Sequence, residues 1–139
     1  MCVPRNKKIM KLLSQRLYMA KDIGVHGNLF GGILLAWLDE SAVTFACDVC
    51  QTGNMVTLKL DELIFKEPVK VGYQIMIYGK LVSVGNTSVQ LYIEARRKNV
   101  HTREERVVCS TKFVFVRIDN NGEAIPLDSS IKSKLKKEV

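Results

Sequence analysis

The sequence predicts an α+β domain: one long central helix wrapped by a curved antiparallel sheet of about five strands. Three observations carry that prediction. Gly31 to about Cys47 is an apolar stretch with no interior breaker, opened by Gly31-Gly32. After Gly53-Asn54 the pattern changes to long runs of branched and alternating residues. Those runs are separated by turn signals such as Gly85-Asn86 and closed by Asp119-Asn120-Asn121-Gly122. A strand of about 11 residues spans roughly 36 Å, enough to curl around a helix of about 17 residues and roughly 26 Å.

Taken in order, residues 1–14 read as a basic leader and Gln15 to Ala20 as a short first strand. Lys21 to Phe30 is a loop carrying Gly24, Gly27 and Asn28, and the helix follows it. Met55 to Phe65 reads as a strand whose phase slips near Asp61-Glu62, the mark of a bulge. Tyr73 to Val84 is the next strand. Thr87 to Arg97 alternates, with Val89, Leu91, Ile93 and Ala95 on one face and Ser88, Gln90, Tyr92, Glu94 and Arg96 on the other. Arg106 to Ile118 is the last strand, and residues 128–139 read as a basic tail. One domain, residues 15–127, is expected between the two termini.

With 139 residues, 47% hydrophobic and 25% charged, the chain has the size and balance of one soluble globular domain. The basic first residues run into mixed sequence and not into an apolar block, so no secretory signal is read and a cytoplasmic location is expected. The run Ile33 to Leu38 falls far below the roughly 18 apolar residues that suggest a membrane span. Four cysteines include the pair Cys47 and Cys50, but His26 and His101 lack the spacing to complete a zinc site. No metal is expected, and three thiols read as small buried groups, the fourth, Cys2, lying in the terminus. The net charge of +7 gathers at both ends of the chain and at Arg96-Arg97-Lys98. Such clusters bind nucleic acid, anionic membranes or polyphosphate ligands. Without interleaved aromatics or a DNA-reading motif, nucleic acid ranks last and solubility is the plainer role of the termini.

Projected at 100° per residue, the helix places Glu40, Ser41, Thr44 and Asp48 on one arc, the expected wet face. Asp39 falls on the opposite side, among Leu35, Ala36, Ala42 and Val43. A carboxylate there is either a structural group satisfied by an amide, a cation or an interface, or a general base activated by apolar surroundings. Helical phase alone leaves these two readings level.

The residues His26-Gly27-Asn28-Leu29-Phe30-Gly31-Gly32-Ile33-Leu34-Leu35, followed by Trp37-Leu38-Asp39-Glu40, closely resemble the loop and central helix of hotdog-fold acyl-CoA thioesterases. That family's pattern is roughly N-x-x-G-x-x-F-G-G, with an acidic residue seven positions after the second glycine, where Asp39 stands. The resemblance continues through Val56-Thr57, Phe65 to Gly72 and Val84 to Val89, and covers about residues 15–118. One position departs: the family's Asn, three residues before the loop glycine, is Gly24 here.

The resemblance implies hydrolysis of acyl-CoA to free fatty acid and coenzyme A, with Asp39 as general base. Gly31 and Gly32 backbone amides are the implied oxyanion site, in keeping with their place at the positive end of the helix dipole; the same glycines also allow close packing of the loop. Where the family's amide is missing at Gly24, Asn28 or His26 stands as a substitute. Phe30 and Thr57 are the implied acyl or thioester contacts. Lys66, Arg96, Arg97 and Lys98 are candidates for the phosphates, and Asn86, Thr87 and Ser88 for polar contacts. In the family, glycines and carboxylate meet across a two-fold dimer axis, and a hexamer of three dimers is implied. No cofactor is expected beyond coenzyme A as part of substrate and product, and neither a nucleic acid nor a membrane partner. A non-catalytic acyl-CoA-binding or sensing module is the alternative.

Overall fold

The computed structural model describes residues 10–24, 27, 29 and 31–139. Strand β1 (Lys11–Leu17) leads through a short 3-10 turn (Ala20–Asp22) to helix α1 (Gly31–Cys50). Strands β2 (Met55–Leu60), β3 (Gln74–Val84), β4 (Ser88–Lys98) and β5 (Glu105–Arg117) follow, then a second helix, α2 (Ser129–Glu138). The strands form one five-stranded antiparallel sheet in the order β1-β3-β4-β5-β2, leaving β1 and β2 at its edges. The predicted α+β arrangement of helix and sheet is present.

The core lies between α1 and the sheet. Leu34, Leu38, Ala42 and Ala46 of the helix join Ile75 and Ile77 of β3, Val89, Leu91 and Ile93 of β4, and Phe113 and Phe115 of β5. The alternation read in β4 is the one observed, with Val89, Leu91, Ile93 and Ala95 all inside. Each fully buried Val, Leu or Ile contributes about 1.5–3 kcal/mol, so this central strand anchors the sheet to the helix.

Four segments differ from the sequence reading. The first strand begins at Lys11, inside what read as a leader, and pairs with β3 from there. It therefore covers part of the expected wet face: Ser41 is buried and shares a 2.8 Å hydrogen bond with Ser14, while Glu40 and Asp48 stay outside, paired with Arg16 at 3.2 Å and Lys11 at 3.8 Å. Helix α1 runs a turn beyond Cys47 because Cys50 is also core, and it stops where Gln51 takes a φ of 53°. Strand β2 ends at Leu60, and its bulge falls between Thr57 and Lys59, not near residue 61. Beyond it the chain stays tied to β5 through isolated contacts, among them Asp61 N to Lys112 O at 3.0 Å, Thr111 Oγ1 to Asp61 O at 3.1 Å and Lys66 N to Val108 O at 2.7 Å.

The expected C-terminal tail is helical. Asp128 caps α2, its Oδ1 accepting from the backbone N–H of Ser130 and Ile131 at 3.0 and 3.2 Å. Ile131 and Leu135, one turn apart, bind the helix to the core. The lysines between them hid this short apolar stripe. None of the helices in the described residues is long and apolar enough to cross a membrane.

Candidate active site

Asp39 follows Leu38 in α1 and is turned about 100° from it round the axis. That rotation takes the carboxylate out of the core, where the sequence placed it, to the side facing edge strand β2. There it is half-buried, and Thr57 Oγ1 donates a hydrogen bond to its Oδ1 at 2.7 Å. A donor at this distance from a carboxylate makes a charge-assisted bond, stronger than a neutral one. A single donor still leaves acceptor capacity on both oxygens. Thr57 lies at the bulge of β2, a device that re-aims side chains out of strict alternation.

Gly31 and Gly32 form the first turn of α1, Gly31 half-buried and Gly32 exposed. The loop before them is anchored from several sides. The buried Tyr18 donates its hydroxyl to Gly27 O at 3.1 Å, Ile23 bridges Leu29, and Leu29 N donates to Val69 O at 2.9 Å. Gly27 takes φ +75°, a conformation that costs glycine least. Gly24 is half-buried where the 3-10 turn passes into the loop. His26, Asn28 and Phe30 lie outside the described residues. Beside Gly31 is a cavity of ≈ 260 Å³, lined by Leu29, Leu34, Phe65, Lys66, Val69 and Val108 among others. Gly32 and Asp39 are seven residues apart, roughly 10 Å along the axis, so one chain does not bring its first-turn amides and its carboxylate to the same atom.

The candidate coenzyme A contacts do not converge within one chain. Asn86, Thr87 and Ser88 lie at the start of β4 and Arg96, Arg97 and Lys98 at its end, roughly 34 Å away. Asn86 Oδ1 accepts from Lys132 Nζ at 2.9 Å, which ties that turn to α2. Arg96 is turned inward: its Nε donates to Glu94 at 2.6 Å, its guanidinium stacks 4.0 Å over the Tyr78 ring, and both charged residues are buried. A buried charge with its partner supplied is not offered to a phosphate. Arg97 donates to Pro68 O, lies 3.5 Å from Glu67 and stacks 5.2 Å over Tyr73. Lys66 is exposed beside the Gly31 cavity.

Two of the cysteines are poor nucleophiles. Burial, with the neighbouring Cys47 adding to it, pushes the Cys50 thiol up to about 11. Burial, with Glu94 adding to it, pushes Cys109 up to about 12. Sequence reasoning missed two residues that shape the site: Tyr18, whose hydroxyl pins the loop, and Phe65, whose ring lies against Gly31. An aromatic inside a run with broken strand phase was the available signal for Phe65.

Glycine turn and strand-held carboxylate thus share one central helix packed on a five-stranded sheet. The chain belongs to the thioesterase superfamily, whose family model matches residues 26–104. It is 34% identical over 103 residues to an uncharacterized acyl-CoA thioester hydrolase of Zymomonas mobilis, covering 74% of this chain and 68% of the relative. It is 28% identical over 120 residues to the acyl-CoA thioester hydrolase YciA of Salmonella typhimurium, covering 84% and 90%. Among solved structures, a hexameric hotdog-fold thioesterase of Campylobacter jejuni superposes with a TM-score of 0.80 at 27% identity, over 91% of this chain and 96% of the other. The fold is the hotdog fold.

Proposed function

We propose that this protein hydrolyses acyl-CoA thioesters to the free acid and coenzyme A in a site shared between two copies of the chain. One observation carries the reading: a carboxylate on the central helix is held by a hydroxyl of edge strand β2, whose outer side pairs with no other strand among the described residues. That edge is apolar, with Leu58 65% exposed and Val56, Ile64 and Phe65 exposed near it. An open strand edge of this kind invites pairing with another strand. A second copy related by a two-fold axis is the self-complementary occupant. Its Gly31 and Gly32 amides then supply the oxyanion donors that Asp39 cannot reach in its own chain. The hexameric assembly named for the Campylobacter relative supports a further association of three such dimers.

In this mechanism water attacks the thioester carbonyl carbon while Asp39 takes one of its protons. The carbonyl electron pair moves to oxygen, where backbone N–H groups at the positive end of a helix stabilise it. Collapse of the intermediate breaks the C–S bond, and protonated Asp39 returns its proton to the departing thiolate. Thr57 acts through Asp39 as a positioning residue. Lys66, beside the cavity, is the basic side chain best exposed for the coenzyme A phosphates, and Asn86 to Ser88 reach the same ligand only from another copy.

Release of coenzyme A from a panel of acyl-CoAs, followed with a thiol reagent, tests the proposal. Steady turnover by a light-scattering dimer or larger species supports it, and a monomer at micromolar concentration contradicts the shared site. The absence of the family's amide at Gly24 favours a second reading, an acyl-CoA sensor. Tight binding of acyl-CoA with no release of thiol is its signature.

A further inference from the structure

We propose that Phe65 is a specificity-determining residue: its ring is the wall that limits bulk on the carbon next to the reacting carbonyl. The proposal rests on the thioester-hydrolase reading above and adds to it the class of acyl group accepted. A Cβ placed on Gly31 would lie 3.3 Å from Phe65 Cζ and 3.4 Å from Cε2. The ring edge therefore already occupies the space that the bare glycine opens at the first turn of α1. The ring is 48% exposed, so one part touches the helix and the rest is uncovered.

Its segment is held by backbone hydrogen bonds as well as by the packing of Leu63 and Val69 with the core. Lys66 donates its N–H to Val108 O at 2.7 Å, and Val69 O accepts from Leu29 N at 2.9 Å. These bonds tie the segment that carries Phe65 to β5 on one side and to the glycine loop on the other. The adjoining cavity is walled mostly by apolar residues, Leu29, Leu34, Val69 and Val108 as well as Phe65, with Lys66 and Glu67 its charged members. Such a lining suits an acyl chain better than a nucleotide.

Oxyanion donors sit about 3 Å from the oxygen they stabilise. A carbonyl bound to the Gly31 amide consequently puts its neighbouring carbon close to the Phe65 ring. A straight chain passes beside the ring into the cavity, whereas a methyl branch on that carbon meets it. One methylene more or less in an apolar pocket changes discrimination by roughly 10- to 200-fold. A single methyl branch puts the expectation at the lower end.

The test compares kcat/KM for butyryl-CoA and isobutyryl-CoA in the wild type, Phe65→Ala, Phe65→Leu and Phe65→Tyr. Phe65→Ala is expected to raise the isobutyryl-to-butyryl ratio about tenfold, Phe65→Leu to raise it by a smaller factor, and Phe65→Tyr to leave it unchanged. An unmoved ratio in Phe65→Ala, with both substrates turned over, overturns the assignment of Phe65 and leaves the hydrolase reading intact. If Phe65→Ala does not fold or assemble, Phe65→Leu decides on the same ratio. A wild type that releases coenzyme A from neither substrate overturns the assignment of Phe65, whereas the hydrolase reading falls only if the whole acyl-CoA panel is left intact.

Discussion

Replacing Thr57 with valine removes the hydroxyl that holds Asp39 and keeps a branched side chain suited to a strand. The bond lost is 2.7 Å long and runs to a carboxylate. Hydrogen bonds to charged groups contribute about 1.5–3 kcal/mol where water is excluded. Thr57 is exposed and Asp39 half-buried in the single chain, so solvent competes and about 1 kcal/mol is the appropriate magnitude. If that energy orients the base in the transition state, kcat falls about fivefold. KM stays within about twofold, because the bond serves the base and not the substrate. Thr57→Ser restores the donor and most of the rate. The assay is steady-state release of coenzyme A with all three proteins, at matched oligomeric state. Wild-type kcat in Thr57→Val, or equal loss in Thr57→Ser, would refute the positioning role.

Other consequences are independent of catalysis. Arg96→Met leaves Glu94, 2% exposed, with its charge uncompensated except for the Tyr92 hydroxyl at 2.8 Å; a loss of about 3–5 kcal/mol in urea unfolding is expected, and adding Glu94→Gln should recover much of it. The α2 cap is predicted to be acid-sensitive. Its hydrogen bonds from Ser130 and Ile131 hold the Asp128 carboxyl below the usual carboxylate range. A depressed folded pKa gives stability that is present above the unfolded value and lost as pH falls through the folded one. Protection factors at Ser130 and Ile131, that is, exchange relative to the unfolded chain at the same pH, should fall on acidification past the ordinary carboxylate range and be low at every pH in Asp128→Ala. Exchange that ignores both changes would show that core packing of Ile131 and Leu135 alone holds α2.

The parts of the fold legible in the sequence are those whose periodicity is enforced on both sides. Strand β4 lies between β3 and β5, and its inward Val89, Leu91, Ile93 and Ala95 are fully buried, so alternation survives in the sequence up to the register shift between Ala95 and Arg96, where Glu94 and Arg96 are buried too. The edge strands β1 and β2 pair on one side only, and each carries a register shift, between Leu12 and Ser14 and between Thr57 and Lys59. Such shifts break the two-residue period that sequence reading depends on; β1 starts and ends earlier than the sequence suggests, and β2 stops short of the run that reads as strand at its C-terminal end. In α2 the apolar stripe is too narrow to stand out among lysines. Asp39 was conspicuous because its phase disagrees with its chemistry. Its partner Thr57 is 18 residues away, and that contact depends on a bulge that cannot be phased in advance. Burial of Arg96 arises from neighbours on two other strands, Tyr78 and Glu105, so a basic cluster in the sequence became one inward-facing arginine and two outer groups.

The central claim is that Asp39 activates water for thioester hydrolysis. The direct measurement is coenzyme A release by Asp39→Asn, a nearly isosteric change that keeps an acceptor for Thr57 while removing the base. Turnover should fall about a hundredfold or more, the range for loss of a general base, with melting temperature and oligomeric state unchanged. Near wild-type turnover in a correctly assembled Asp39→Asn protein would contradict the account.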